Sequence, residues 1–197
     1  MRAWWAHHFP GWEIILEDSE GEDWCKPRAL NRAVARASGR TLVLADADSF
    51  CDPGVLLQAV REVWAHNAWV MPHRRVLRLN EAETRRVLAR DHDAAPGDEG
   101  LVRPAYLGTV GGGIVVLKRE AWDGHDERFL GWGADDDALG IRLRGMLGRE
   151  RRLDADLYHL WHPQAPRDEL AANRHLLARE YRPRPAAPRV RVIPPRL

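Results

Sequence analysis

The sequence predicts an α/β fold with a mainly parallel sheet, and three observations carry that expectation. Short apolar runs alternate along the chain with segments whose apolar residues recur at helical spacing. Two of the runs, Thr41–Ala45 and Ile114–Leu117, are continuously apolar, as strands covered on both faces are. The helical segments between them are bounded by residues that start and stop helices. The 197 residues are 45% hydrophobic and 30% charged, which suffices for one core without cross-links. The expected organisation is one domain over residues 1–181, then an Arg/Pro-rich tail, 182–197, read as extended or disordered.

Trp12–Leu16 reads as a short strand that breaks at the acidic turn Glu17–Gly21. Pro27–Ser38 reads as a helix, with Pro27 in its first turn, Leu30, Val34 and Ala37 on one face, and Gly39 as the stop. Strand Thr41–Ala45 ends at Asp46-Ala47-Asp48. Pro53–His66 reads as a helix capped by Asp52, and Trp69–Met71 as another strand. A helix from Asn80 to about Arg90 precedes a loop, Asp91–Gly100, of the kind that serves as a lid or binding loop. Gly111-Gly112-Gly113 leads into strand Ile114–Leu117, and Arg119–Trp122 begins a short helix. The tight loop Gly131-Trp132-Gly133 opens a helix over Asp135–Met146, whose acidic first turn and Arg-rich later part suit the helix dipole. Leu157–Trp161 reads as a strand and Asp168–Tyr181 as a helix.

Charge and cysteine usage exclude several classes. Lys+Arg total 30 against 29 Asp+Glu, a net charge of +1, which argues against binding nucleic acid by bulk charge. Cys25 and Cys51 are the only cysteines, so neither a disulfide framework nor a four-cysteine zinc site is expected. No apolar run approaches a membrane span, and Met1–Pro10 lacks the pattern of a signal peptide. A reduced, cytoplasmic protein is the expectation.

Four constellations could carry chemistry. Asp46-Ala47-Asp48 follows a buried strand, where two carboxylates can meet one hard divalent cation; a solvated turn is the plainer reading. In Gly131-Trp132-Gly133-Ala134-Asp135-Asp136-Asp137 the crowded acids tend to raise a pKa, which suits a general base. Trp132 offers a face for a sugar ring, although the helix dipole alone would account for the acids. Tyr158-His159-Leu160-Trp161-His162-Pro163 holds two histidines three apart, which point to opposite faces on a strand unless the chain bends before Pro163. Gly111-Gly112-Gly113 lets backbone approach a ligand, or simply turns into the strand; no Lys-Ser or Lys-Thr follows to make it a phosphate-binding P-loop.

In their order along the chain these pieces resemble the GT-A-fold glycosyltransferases, in particular those with a galactosyltransferase-type C-terminal region. The resemblance runs from about Trp12 to Pro163. It rests on Lys26-Pro27-Arg28-Ala29-Leu30-Asn31, on the strand ending in Asp46-Ala47-Asp48, and on Gly112-Gly113 through Trp122. It rests further on Asp126-Glu127-Arg128-Phe129 with Gly131-Trp132-Gly133-Ala134-Asp135-Asp136, and on the late His159. The resemblance implies a GT-A fold on a single, mainly parallel mixed sheet flanked by helices. It implies an inverting, metal-dependent transfer of a sugar from a nucleotide-diphospho-sugar, a UDP-sugar foremost, to the hydroxyl of a glycan or other acceptor.

By the same analogy Asp48 and His159 hold Mn²⁺ or Mg²⁺, with His162 competing for the histidine role and Asp46 near both ribose and metal. Asp18, Lys26, Gly112 and Gly113 serve the nucleotide and donor sugar, while Trp132 and Gly133 serve the sugar and acceptor side. Asp136 is the expected general base with Asp135 beside it, the latter standing where relatives carry Glu. The family pattern also begins with a strand that is not found before Trp12, which implies either a shortened sheet or a misassigned start. Two other readings compete. A non-catalytic, truncated sugar or nucleotide-sugar binding module fits the shortened sheet. A nucleotidyltransferase also wants a carboxylate-bound metal, but would need a basic Gly-rich loop near the N-terminus that is not found.

Overall fold

The computed structural model describes residues 1–18, 24–89, 96 and 100–181. The end of the acidic turn after Leu16, most of the Asp91–Gly100 loop and the 182–197 tail lie outside the described residues. Six helices and eight short strands are described: α1 (Arg2–His8), α2 (Lys26–Arg36), β1 (Thr41–Ala45), β2 (Ser49–Cys51), α3 (Pro53–His66), β3 (Val70–Met71) and β4 (Arg75–Arg78). They continue through α4 (Glu81–Ala89), β5 (Tyr106–Leu107), β6 (Ile114–Lys118), α5 (Asp135–Leu147), β7 (Arg151–Arg152), β8 (Asp156–His159) and α6 (Leu170–Glu180). A 3-10 turn, Arg119–Ala121, stands where a short helix was expected.

The fold is α/β, but the single, mainly parallel sheet is not found. There are two four-stranded sheets, ordered β1-β6-β3-β7 and β2-β8-β4-β5. Only β3–β7 and β4–β8 run parallel; β1–β6, β3–β6, β2–β8 and β4–β5 are antiparallel. The reason lies at Asp46–Asp48. The Ser49 N–H donates to Asp46 O at 3.0 Å, closing a turn that carries the chain out of the first sheet and into the second. A continuous apolar run reports burial, and says nothing of strand direction or of which sheet the next strand joins.

The two sheets share their packing with the helices. One core cluster gathers Phe50, Leu56, Val63, Ile114 and Leu157 with Trp4 and Phe9 from the N-terminal helix region. A second gathers Leu42, Leu44, Trp69, Leu117 and Leu143, with Leu30 and Val34 of α2 packed against it. Helix α3 forms where Asp52 predicts, its side chain accepting from the Val55 N–H at 3.0 Å. Helix α2 ends at Arg36 with Ala37 as its cap, two residues before the expected Gly39 stop. Helix α1 had no counterpart in the reading of the sequence: Trp4 buries its ring against Phe50, 5.5 Å away. The expected strand Trp12–Leu16 is also corrected, since the segment pairs with no strand. A strand requires a ladder partner, and the outer edge of β1 is separated from this segment by a cavity that both line.

Candidate active site

The site is built around the turn between β1 and β2. Asp46 stays with the first sheet: its N–H donates to Gly113 O at 2.9 Å, and the Gly113 N–H donates back to Asp46 Oδ2 at 3.2 Å. Asp48 belongs to the second sheet, where its carbonyl accepts from the Leu160 N–H at 2.8 Å. Two residues apart in sequence, the two carboxylates therefore face different partners.

Those of Asp46 form a half-buried charge cluster in which only Asp135 is fully buried. Lys26, at the start of α2, places Nζ 2.6 Å from Asp46 Oδ1, 2.7 Å from Asp136 Oδ1 and 3.9 Å from Asp135 Oδ2. Burial alone would lower the Lys26 pKa, but the three carboxylates reverse this and hold it well above the ordinary lysine value. Burial raises Asp46, with Lys26 opposing. Asp135 is pushed up to about 6, again by burial first, against the pull of Lys26. Its Oδ2 is buried without a hydrogen-bond partner. Asp137, also raised by burial, completes the acidic first turn.

The glycines explain how α5 comes so close. A Cβ on Gly111, whose φ is +90°, would run into the Asp136 carbonyl and come within 2.7 Å of Gly140 N. A Cβ on Gly112 would stand 2.7 Å from Asp136 Oδ2. Gly113, at φ +74°, packs on Leu157 and His73. The run Gly111-Gly112-Gly113 thus seats the first turn of α5 against the entry to β6.

At the other side Asp48, His159 and His162 bring one ligand atom each within 4.8 Å of one another. Asp48 Oδ2 lies 3.7 Å from His159 Nε2 and 3.3 Å from His162 Nε2. Both rings are oriented by backbone: His159 Nδ1 meets Leu160 O at 2.8 Å and His162 Nδ1 meets Pro163 O at 2.7 Å. A carbonyl only accepts, so each Nδ1 carries the proton and each Nε2 offers its lone pair toward Asp48. Burial lowers the His159 pKa, with Asp48 opposing, which keeps that imidazole neutral. Of the two alternatives open for the histidines, the structure has the second: β8 ends at His159, and His162 lies beyond it on irregular chain that brings the two rings together.

Trp132 sits on a loop fixed from α6. Asn173, buried, donates from Nδ2 to Leu130 O at 2.7 Å and to Gly133 O at 3.0 Å. Gly131 and Gly133 have positive φ, as has Ala134 at φ 70°, a costly conformation for a non-glycine residue. The Arg167 guanidinium lies over the Trp132 ring, 4.7 Å from its centroid. Every site residue proposed from the sequence, Asp18 included, lines one cavity of about 2180 Å³. The cluster of Asp48 with both histidines does not include Asp46, whose carboxylate is taken up by Lys26 and Gly113.

Three supporting residues carried no role in the sequence reading. Asn31 holds the segment before Phe129, donating to His125 O at 2.8 Å and accepting from the His125 N–H at 2.7 Å. Its five-residue spacing from Lys26 was the available signal. Asn173 and His73 gave none, since a lone polar residue in a helix or loop does not announce burial. Burial lowers His73 to about 4, and neither ring nitrogen has a partner.

The chain, whose site sets a half-buried lysine between strand-end and helix-start carboxylates beside a carboxylate with two imidazoles, falls by its family match in the class of GT-A-type nucleotide-sugar glycosyltransferases. It belongs to glycosyl transferase family 2, which residues 11–123 match. Residues 102–164 also match a family described as the N-terminal domain of galactosyltransferase. Among solved structures it is similar to glucosyl-3-phosphoglycerate synthase from Mycobacterium tuberculosis. The complex with Mn²⁺ and uridine-diphosphate-glucose is 19% identical, with a TM-score of 0.43 over 88% of this chain and 56% of that one. The complex with Mg²⁺ and uridine diphosphate is 17% identical, TM-score 0.40, over 88% and 56%. The complex with phosphoglyceric acid is 18% identical, TM-score 0.41, over 88% and 58%. The chain thus spans little more than half the length of these structures. No protein of curated function matches it. Among the described residues no helix is long and apolar enough to cross a membrane.

Proposed function

We propose that this chain transfers a sugar from a nucleotide-diphospho-sugar to an acceptor hydroxyl with inversion, assisted by a divalent metal. The observation that carries the reading is the separation of two acidic centres in one cavity: Asp48 with two oriented imidazoles, and Asp136 beside Lys26 and Asp46. One carboxylate oxygen and two imidazole nitrogens fit Mn²⁺ better than Mg²⁺, which prefers oxygen ligands throughout. Asp48, His159 and His162 would hold it, and when bound it supplies Lewis-acid neutralisation of the diphosphate leaving group.

The remaining work falls to the chain. Asp46, fixed by Lys26 and Gly113, faces the ribose, and Asp18 the base or ribose. The backbone of Gly112 and Gly113 backs the donor sugar. Trp132, with Gly133 beside it, stacks on the sugar at the acceptor end. Asp136 takes the proton from the acceptor hydroxyl as that oxygen attacks the anomeric carbon. Lys26, with Nζ 2.7 Å from Asp136 Oδ1, holds that carboxylate in position. A single displacement inverts the anomeric configuration. Residues 1–181 form the transferase unit, and the cytoplasm is the compartment proposed for it.

The test is calorimetric titration of UDP, GDP and their sugars with and without Mn²⁺, on the wild type and on Asp48→Ala, followed by analysis of the released nucleotide. Mn²⁺-dependent binding lost in the variant, with nucleoside diphosphate released on turnover, is the expected result. Pyrophosphate release would identify a nucleotidyltransferase. Binding without release would identify a sugar-nucleotide binding module, and metal-independent binding would overturn the role of Asp48.

A further inference from the structure

The second sheet turns one face to the cavity, and its register fixes what stands there. Between β4 and β8 the pairs Val76↔Leu157 and Arg78↔His159 lie on that face, and all four residues line the cavity. The pair Arg75↔Asp156 lies on the opposite face. Tyr106 of β5, paired with Val76, also lines the cavity. Arg78 is therefore the cross-strand neighbour of His159, one of the two imidazoles beside Asp48. Burial is the main cause of the low His159 pKa, and the Arg78 charge adds to it.

The two faces treat their arginines differently. On the opposite face Arg75 Nε meets Asp156 Oδ1 of the next strand at 2.7 Å. Arg78 has a histidine in the corresponding place, and no carboxylate at ion-pair distance among the described residues. Its guanidinium is nevertheless held. Nε donates to the Tyr106 hydroxyl at 3.0 Å, while the terminal nitrogens find no acceptor among the described residues. Arg103, also on the cavity wall, lays its guanidinium over the same ring, Cζ 4.0 Å from the centroid, and likewise has no carboxylate partner among the described residues. Two cations seated on one ring repel each other, and a cation at Asp48 would repel both. A divalent ion there would have a single carboxylate to balance it. An anion carrying more than one charge relieves that excess, and a guanidinium fork matches the oxygens of a phosphate.

We propose that Arg78, oriented by Tyr106 and reinforced by Arg103, forms a phosphate-binding subsite beside the candidate cation site. The terminal nitrogens of Arg78 take oxygens of one phosphate group. The Tyr106 hydroxyl, which accepts from Nε, keeps its own proton to donate to the same group. Two sources carry this chemistry. One is the diphosphate of a nucleotide-sugar donor, which rests on the function proposed above; the other is a phosphate on the acceptor. The subsite itself depends only on the charge and geometry of these three side chains.

The test is calorimetric titration of the full chain with inorganic pyrophosphate in chelator-treated, metal-free buffer, on the wild type and on Arg78→Gln, Tyr106→Phe and Arg75→Gln. The last variant removes the same charge from the opposite face. Arg78→Gln should weaken binding at least about tenfold and Tyr106→Phe about threefold, with Arg75→Gln within about twofold of the wild type. Tyr106→Phe keeps the ring under Arg103, so it carries the test if Arg78→Gln does not fold. A wild type that binds no pyrophosphate overturns the proposal. So does an equal loss in Arg75→Gln and Arg78→Gln, which would mean diffuse charge rather than a subsite. A Tyr106→Phe variant that matches the wild type overturns the orienting role of the hydroxyl. UDP with Mn²⁺, titrated into the wild type and Arg78→Gln, tells the two sources apart. An equal loss for UDP places the donor diphosphate on the subsite, and an unchanged UDP affinity places an acceptor phosphate there. A wild type that binds pyrophosphate but no UDP refutes the nucleotide reading and leaves the subsite standing.

Discussion

Replacing Asp135 by Asn should stabilise the protein in a strongly pH-dependent way. Folding buries this carboxyl and moves it from the ordinary 3.8 up to about 6, with the pull of Lys26 already opposing that rise. Because the folded-state pKa is the higher one, the folded protein binds this proton more tightly than the unfolded chain. Stability from this group is fully present below about pH 4 and is lost as the pH rises through about 6. At about 1.4 kcal/mol per pKa unit, ionised Asp135 costs about 3 kcal/mol at pH 8. The amide has nearly the same shape and no proton to lose. The stability of Asp135→Asn relative to the wild type should therefore rise by about 3 kcal/mol between pH 4 and pH 8, whatever pH-independent cost the amide brings. Urea unfolding at pH 4, 6 and 8 measures it. A stability difference that stays constant across this range, or that turns against the variant at pH 8, would refute the reasoning. Where turnover can be followed, an inflection near pH 6 in the wild-type rate profile should be absent from the variant.

Other expectations follow from neighbouring geometry. Lys26→Met leaves the half-buried Asp46 and Asp136 without their cation, so it should cost up to about 3 kcal/mol at pH 8 and less at pH 5, because burial already raises the Asp46 pKa and favours its protonation; thermal melts at the two pH values check this. Gly112→Ala must displace the Asp136 carboxylate, because its Cβ would stand 2.7 Å from Oδ2, and should lower turnover at least about tenfold while the far-ultraviolet circular dichroism is unchanged. Gly145→Ala is the matched control: it lies within α5 with nothing within 4 Å of the added Cβ, and should raise stability by about 1 kcal/mol in urea unfolding. Asn173→Leu removes the donors to Leu130 O and Gly133 O, should cost about 1–3 kcal/mol, and should raise the KM for acceptor more than for donor.

What could be read from the sequence was what is written locally. Strand Thr41–Ala45 and the capped helix Pro53–His66 were visible because a contiguous apolar run, or a cap with a proline behind it, needs no distant partner to be identified. The acidic turn and the Gly-Trp-Gly helix start were visible as crowded, unusual residue types. The partition into two sheets was not, because β5 and β7 are two residues long and leave no periodic trace. Helix α1 was missed because its Trp4 is buried by contact with the distant Phe50. Whether His159 and His162 meet could not be read from periodicity, since the period-two argument holds only while the strand lasts, and β8 stops at His159. The expected strand at Trp12–Leu16 shows the complementary failure: its residues have strand chemistry, but among the described residues the segment pairs with no strand.

The division of labour between Asp46 and Asp48 follows from the same turn that splits the sheet. Had residues 46–48 continued as strand, both carboxylates would lie on one face and point at one ligand. The turn closed by the Ser49 N–H on Asp46 O separates them instead. Asp46 remains bound to Gly113 of the first sheet and to Lys26, whereas Asp48 is delivered to the histidines at the end of β8 in the second. A half-buried lysine beside the first carboxylate makes that position unattractive to a second cation, because Lys26 already supplies the charge a metal would bring. On the function proposed above, a cation would therefore be held by Asp48 and the two imidazoles, and the carboxylates around Lys26 would serve hydrogen bonding and proton transfer.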